Sequence, residues 1–416
     1  MQTIDIQVFL ASFILTVLFI LILKPLAVII GLMDSPCSRK QHNEKIPLIG
    51  GVSIFLTVLI VNLWWGELKN IPYLVAATLI VIVGVIDDYK TLDFKLRLVA
   101  EIIAASIMIY WGGVQIDSLG DLLGYGEIRL GVFSEIFTIF AIVGGINAFN
   151  MIDGMDGLAG SVALITFSLL FFVDSSFNSG HMLSNIFIPA IISFLLFNFP
   201  AFGRKKASVF LGDAGSMLFG FTICWILISM SQGEHKAIAP VTVLWILAGV
   251  LFDSVAIMIR RKRNGRSPFA PDREHFHHIF KVAGYSTKQT LFIIVVWVIA
   301  LGVFGLLGEK KANFTEGTMF LVFLSIFGLY YWGLSHAWIT MKIARYLKDK
   351  DHKSERRKGD RRKEIKGYDG EDRRKLHDRR TGKDRRYQDA IRIMERKEIP
   401  IYRKKIQFLN VKNWFL

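Results

Sequence analysis

The sequence predicts an all-α polytopic membrane protein of about eleven transmembrane helices. Three observations carry this expectation. Hydrophobic residues fill 52% of the 416 positions, and the mean hydropathy is +0.42. They gather into runs that approach the ~20 helical residues demanded by a ~30 Å hydrocarbon core, with short polar loops between them. Positive charge also alternates from loop to loop, as it does where cytoplasmic loops are enriched in Lys and Arg.

In order, the runs are Val8–Ile30, Ile49–Trp65, Tyr73–Ile86, Leu96–Trp111, Val132–Phe149, Leu158–Val173, Leu183–Phe199, Val209–Met230, Ile238–Ile259, Leu291–Leu307 and Met319–Thr340. The first follows Met1-Gln2-Thr3-Ile4-Asp5, which lacks the basic region of a cleaved signal peptide, so it is expected to remain as a span. Leu96–Trp111 holds Glu101 and Ile238–Ile259 holds Asp253. Each lies a turn or two from a cytoplasmic end, so snorkelling toward Lys or Arg is the expectation for both, and neither joins the functional set.

Arg39, Lys40 and Lys45, then Arg204, Lys205 and Lys206, then Arg260 through Arg266 make alternate loops basic. The loop Gly112–Gly131 sets Asp117, Asp121 and Glu127 against Arg129 alone. These charges put the odd-numbered loops and the C-terminus in the cytoplasm and the N-terminus outside, with Lys310-Lys311 as the exception. Cys37 and Cys224 support neither a disulfide framework nor a zinc site.

The composition divides the chain into residues 1–345, a membrane domain, and residues 346–416, a basic tail. From Lys342 onward there are 27 Lys and Arg against 13 Asp and Glu, so +14 of the net +15 resides there. Asp-Arg-Arg recurs at Asp360, Asp372, Asp378 and Asp384, a spacing that fits neither helix nor heptad. The tail is expected to be largely disordered and to associate with anionic lipid. No specific nucleic-acid partner is expected, and homodimerisation is left open.

Four polar clusters stand at the ends of apolar runs, all on the predicted cytoplasmic side. Asp87-Asp88 follows the third run; adjacent carboxylates repel and persist best with a cation or proton between them. Asn147, Asn150, Asp153 and Asp156 recur every third residue up to Gly160, a stripe of oxygen donors among glycines that suits Mg²⁺. Asp213, in Phe210-Leu-Gly-Asp-Ala-Gly-Ser216, serves equally well as a helix N-cap or as a metal ligand. His275, His277 and His278 lack the spacing of a helical zinc pair; beside Arg263, Arg266 and Arg273 they suit a diphosphate and sugar hydroxyls.

Taken together, these segments resemble the polyprenyl-phosphate N-acetylhexosamine-1-phosphate transferases. That family has a DD after a span, NxxNxxDGxDGLA, F(L/M)GDxGS and an HxHH loop, and this chain has all four in order. Asn147–Gly160, Phe210–Ser216, Ser267–His278 and Arg39-Lys40 through Gly51 are most similar to the WecA-type UDP-GlcNAc:undecaprenyl-phosphate transferases. The resemblance covers roughly residues 1–345 and leaves out the tail.

The resemblance implies transfer of GlcNAc-1-phosphate from UDP-GlcNAc to undecaprenyl phosphate with release of UMP. The setting would be a bacterial inner membrane, at the start of O-antigen, common-antigen or teichoic-type polymers. It further implies Asp213 and Asn150 on Mg²⁺, with Mn²⁺ able to substitute, and Asp153 and Asp156 toward the nucleotide. Asp87 and Asp88 would serve the lipid phosphate, bound by Lys95 and Arg97, while Arg266, His275, His277 and His278 would take the sugar and diphosphate. Another UDP-hexosamine or UDP-MurNAc-pentapeptide is the alternative donor. A cation-coupled transporter is the alternative class, and it would need its carboxylates near the midplane of repeated halves.

Overall fold

The computed structural model describes residues 2–34, 45–65, 71–173, 178–199, 206–234, 236–267 and 275–336. Its helices are α1 (Gln2–Ile30), α2 (Gly50–Trp65), α3 (Ile71–Tyr89), α4 (Phe94–Tyr110), α5 (Ser134–Ile152), α6 (Leu158–Val173) and α7 (Asn178–Asn198). They continue as α8 (Gly212–Ser231), α9 (Pro240–Ile246), α10 (Ala248–Arg263), α11 (Phe276–Val282), α12 (Thr287–Lys310) and α13 (Glu316–Ser335). Among the described residues, two short antiparallel strands, β1 (Met33–Asp34) and β2 (Ile46–Pro47), and two isolated bridges depart from an all-α polytopic membrane protein.

Chain contacts divide the molecule into a main body, Met1–Lys281 with Tyr285–Thr340, and a second unit, Val282–Gly284 with Met341–Leu416. The predicted tail at 346–416 lies outside the described residues, as do Arg39-Lys40, Arg204-Lys205 and Arg273.

Each of the eleven predicted runs overlaps a helix, and Ile238–Ile259 overlaps two, α9 and α10, bent by 79° across Leu247. Among the described residues, six helices are long and apolar enough to cross a membrane, seven if the bent pair is one span. Helices α2 and α6, at 16 residues each, rise only ~24 Å against a ~30 Å core. Helix α4 is short and carries Lys95, Arg97 and Glu101.

At the centre is α8. Nearly every residue from Ala214 to Ser231 is buried, as expected of a helix that is apolar all round. Helices α2, α3 and α5 pack directly on it, with α6 and α7 also touching. Small residues permit the approach: a side chain on Gly51 would meet the Gly215 backbone, and one on Gly84 would meet Ala214.

The N-terminal amides of α2, which have no partner within their own helix, are satisfied from the α8 entry: Gly50 N–H donates to Phe210 O and Gly51 N–H to Leu211 O, each at 2.9 Å. Phe210 N–H in turn donates to Pro47 O at 2.9 Å. This splice of Ile46–Gly51 to Val209–Leu211 fixes the start of α8.

Candidate active site

Asp88 closes α3 and reaches across to α8. Its Oδ1 accepts the Asp213 N–H at 2.8 Å and its Oδ2 the Ala214 N–H at 3.2 Å. The N-cap of α8 therefore comes from another helix, and Leu211, at the cap position itself, makes no side-chain bond. Of the two roles that the sequence left equal, the N-cap is excluded: Leu211 holds the cap position and Asp213 lies within the first turn of α8. Gly212 is required here, with φ +76° and a missing Cβ that would strike the Asp88 carboxylate.

The adjacent Asp87 turns elsewhere. Its Oδ2 pairs with Arg97 Nη1 at 2.7 Å and its Oδ1 accepts the Leu92 N–H at 2.6 Å. The two carboxylates thus relieve their repulsion through different partners, one a guanidinium and the other a helix terminus. Arg97 Nε is buried with no hydrogen-bond partner among the described residues. Lys95 sits exposed on the first turn of α4, which Asp93 caps.

From α5, Asn150 Nδ2 donates to Asp213 Oδ1 at 2.7 Å and to Ser216 Oγ at 3.1 Å. One turn back, Asn147 Nδ2 donates to Glu101 Oε2 at 2.7 Å. Glu101 is 1% exposed, so the expectation that it snorkels is corrected: it is a buried partner of Asn147. Asp153 is the C-cap of α5, at an exposed position. Partial loss of hydration, and after it the carboxylates of Asp213 and Asp156, push its carboxyl above the usual range. Asp156 in turn faces Lys281, a half-buried amine lowered by burial and partly restored by that carboxylate.

The histidines are built on Asp253. Its carboxylate receives His275 Nδ1 at 2.7 Å, the Phe276 N–H at 3.1 Å and the Tyr330 hydroxyl at 2.8 Å. The expectation that Asp253 snorkels is likewise corrected. His277 is 2% exposed, and its ring lies over Gly154: a Cβ there would sit 2.9 Å from Cε1 and Nε2. Burial first, then the charges of His278 and His275, lower its imidazole to about 3, so it is neutral at pH 7. His277 Nε2 has no hydrogen-bond partner among the described residues.

These contacts bring Asp87, Asp88, Asn150, Asp153 and Asp213 into one cluster, and Gly154 joins it to His277, which lies with His278 on α11 just after His275. Asp156 lies beside the same cluster, whereas Arg266 is exposed just past the end of α10. Sequence reasoning missed Asn198, whose Oδ1 accepts Gly157 N–H at 2.7 Å and whose Nδ2 donates to Val209 O at 2.9 Å. It ties the glycine turn to the α8 entry; its only sequence signal was a polar residue at the end of an apolar run.

Among the described residues, no group of three or more His, Cys, Asp and Glu side chains is arranged to hold a metal ion. The donor set nevertheless suits a hard cation. Asp213 is within electrostatic reach of Asp87, Asp88 and Asp153, with Arg97 as the nearby counter-charge. Mg²⁺ takes one or two protein carboxylates and completes its shell with water and phosphate oxygens.

Residues 70–231 match the family model described as glycosyl transferase family 4. The chain is 38% identical over 344 residues to an undecaprenyl-phosphate alpha-N-acetylglucosaminyl 1-phosphate transferase of Yersinia pestis, covering 81% of this chain and 92% of the relative. The protein of that name from Escherichia coli K12 is 37% identical over 354 residues, 83% and 95% of the two chains. That of Haemophilus influenzae is 39% identical over 337 residues, 80% and 94%. Identity of this order, sustained over nearly the whole of each relative, leaves no room for a partial match: the chain belongs to glycosyl transferase family 4, within its polyprenyl-phosphate N-acetylhexosamine-1-phosphate transferases of the WecA type.

Proposed function

We propose that this protein transfers GlcNAc-1-phosphate from UDP-GlcNAc to undecaprenyl phosphate, giving undecaprenyl-diphosphate-GlcNAc and UMP. The observation that carries the reading is the meeting of the α3 end, the α5–α6 turn and the α8 start in one oxygen-rich cluster, capped by the histidine helix α11 across Gly154. Enzymes named as undecaprenyl-phosphate alpha-N-acetylglucosaminyl 1-phosphate transferases share 37–39% identity with the chain.

An oxygen of the lipid phosphate attacks the phosphorus that bears GlcNAc, and the bond from that phosphorus to the uridylate phosphate breaks. Both reactants are anions, so catalysis rests on positioning and on neutralising charge. Asp213 and Asn150 would hold Mg²⁺ or Mn²⁺, which supplies positive charge to the diphosphate when bound. Asp88 holds the α8 terminus that carries Asp213, and Asp87 holds Arg97 near the acceptor side, where Lys95 is exposed. Asp153 and Asp156 face the nucleotide. His275, His277, His278 and Arg266 address the sugar and diphosphate, and the buried Nε2 of His277, unpaired among the described residues, is a ready hydrogen-bonding atom for it.

The same reading sets the protein in the bacterial cytoplasmic membrane with eleven crossings, the N-terminus outside, and the site and tail in the cytoplasm. Nucleotide arrives from the cytosol and lipid from the bilayer, so a site at the cytoplasmic helix ends satisfies both. The product would begin a cell-surface polymer of the O-antigen, common-antigen or teichoic type.

Purified protein given undecaprenyl phosphate, Mg²⁺ and a panel of UDP-sugars tests this. UMP release is expected with UDP-GlcNAc in preference to UDP-MurNAc-pentapeptide and 6-deoxy-hexosamine donors. Preference for another donor would overturn the substrate, and no UMP from any donor would overturn the reaction.

A further inference from the structure

Helix α11 carries more than histidines. His277 and Lys281 are four residues apart on it, so they share one face, a turn apart. That face lies on the α5–α6 turn: the His277 ring sits over Gly154, where an added Cβ would come within 2.9 Å of it, and Asp156 follows two residues later. Lys281 is half-buried there. The Asp156 carboxylate favours its charge, and that charge is felt in turn by the His277 ring. The amine is thus held between a carboxylate on the nucleotide side and an imidazole on the sugar-diphosphate side. Arg97, paired with Asp87, belongs to the acceptor side, and the His277 imidazole is neutral at pH 7. Neither supplies positive charge beside the nucleotide.

We propose that Lys281 is a further residue of the donor site, its ammonium meeting the uridylate phosphate that departs as UMP. The inference rests on the transferase reading above and deepens it. In UDP-GlcNAc that phosphate is bonded to uridine on one side and to the GlcNAc phosphate on the other, so its place is between Asp156 and His277. When the lipid-phosphate oxygen bonds to the GlcNAc phosphorus, the bridging oxygen leaves with the bonding electron pair. The uridylate phosphate thereby gains one negative charge. A lysine ammonium is a compact charge on a flexible stem, suited to meet that change without giving up its proton. The four polar clusters that mark the site in the sequence leave Lys281 out, because it lies three residues past the last histidine of its loop.

The test compares UMP with uridine, which differ by the phosphate alone. Both are titrated, with Mg²⁺ present, into the wild type, Lys281→Met and Lys281→Arg, by calorimetry for UMP and by ligand-observed NMR for uridine. Lys281→Met is expected to weaken UMP binding by about 10- to 100-fold, the range of a lost charge-assisted hydrogen bond. Uridine binding should be nearly unchanged, and Lys281→Arg should recover most of the UMP affinity because the charge remains. In turnover, Lys281→Met should lower kcat/KM for UDP-GlcNAc and leave the KM for undecaprenyl phosphate as it was. UMP affinity kept in Lys281→Met would overturn the proposal. So would an equal loss for UMP and uridine, which is what a purely structural pairing with Asp156 predicts. If Lys281→Met does not purify as a folded protein, Lys281→Gln carries the same comparison. Absence of UMP release from any UDP-sugar in the wild type would sink the transferase reading and this inference with it. Wild-type turnover with UMP affinity unchanged in the variant sinks this inference alone.

Discussion

Asp88 and Asp213 are 125 positions apart in sequence, and the carboxylate of the first accepts the backbone N–H of the second at 2.8 Å. The bond does two things at once. It satisfies an amide at the α8 terminus that has no partner within its own helix, and it sets the backbone from which the Asp213 side chain projects.

Gly212→Ala tests that joint. The alanine would need φ +76° and would press its Cβ onto Asp88. We expect a loss of at least about 1 kcal/mol from the backbone alone and a lower kcat with it. Thermal unfolding in detergent and initial rates read both, and unchanged values in both would show that the α8 entry tolerates a side chain.

Asp213→Asn should abolish turnover while the protein still inserts and purifies. Chelation should silence the wild type, and Mg²⁺ or Mn²⁺ should restore it. Full activity in EDTA would remove the metal from the mechanism.

Asp156→Ala and Asp87→Ala should separate donor from acceptor. The first is expected to weaken UMP binding. The second frees Arg97, which is expected to lower turnover with UMP affinity largely kept. Equal loss of UMP affinity in both, measured by calorimetry, would end the division of labour.

His277 makes stability depend on pH. Its folded value, about 3, lies below the ~6.5 of an unfolded histidine. Its contribution is therefore complete above about pH 6.5 and is lost as pH falls toward 3, at about 1.4 kcal/mol per unit. The unfolding temperature of the wild type should drop more between pH 7 and pH 5 than that of His277→Gln. Identical slopes would mean that the imidazole ionises freely in the folded protein.

Truncation after Tyr346 removes most of the +14 carried from Lys342 onward. The four polar clusters all lie before it, so in vitro transferase activity should be nearly intact. Binding to vesicles containing anionic lipid should fall, because each basic residue near such a surface contributes about 1 kcal/mol. Loss of most activity in a truncated protein that remains folded would place the tail in the active site.

The chain alone placed the helices and singled out the polar residues of the candidate site. Hydropathy located helices at all eleven runs because apolar residues must be sequestered whichever neighbours they find. The polar residues of the site stood out because side chains of that kind are costly beside hydrocarbon unless something there needs them. What the chain could not show was which polar groups satisfy one another. Asp88 as a cap for α8, Asn147 on Glu101, Asn198 between two loops and Asp253 under the histidines each join residues at least 22 positions apart, or 11 for Asn198 and Val209. Glu101 and Asp253 were set aside on local grounds, as carboxylates close enough to a helix end to reach water. Only packing decided otherwise, because once neighbouring helices cover such a group it must find its hydrogen bonds inside the protein.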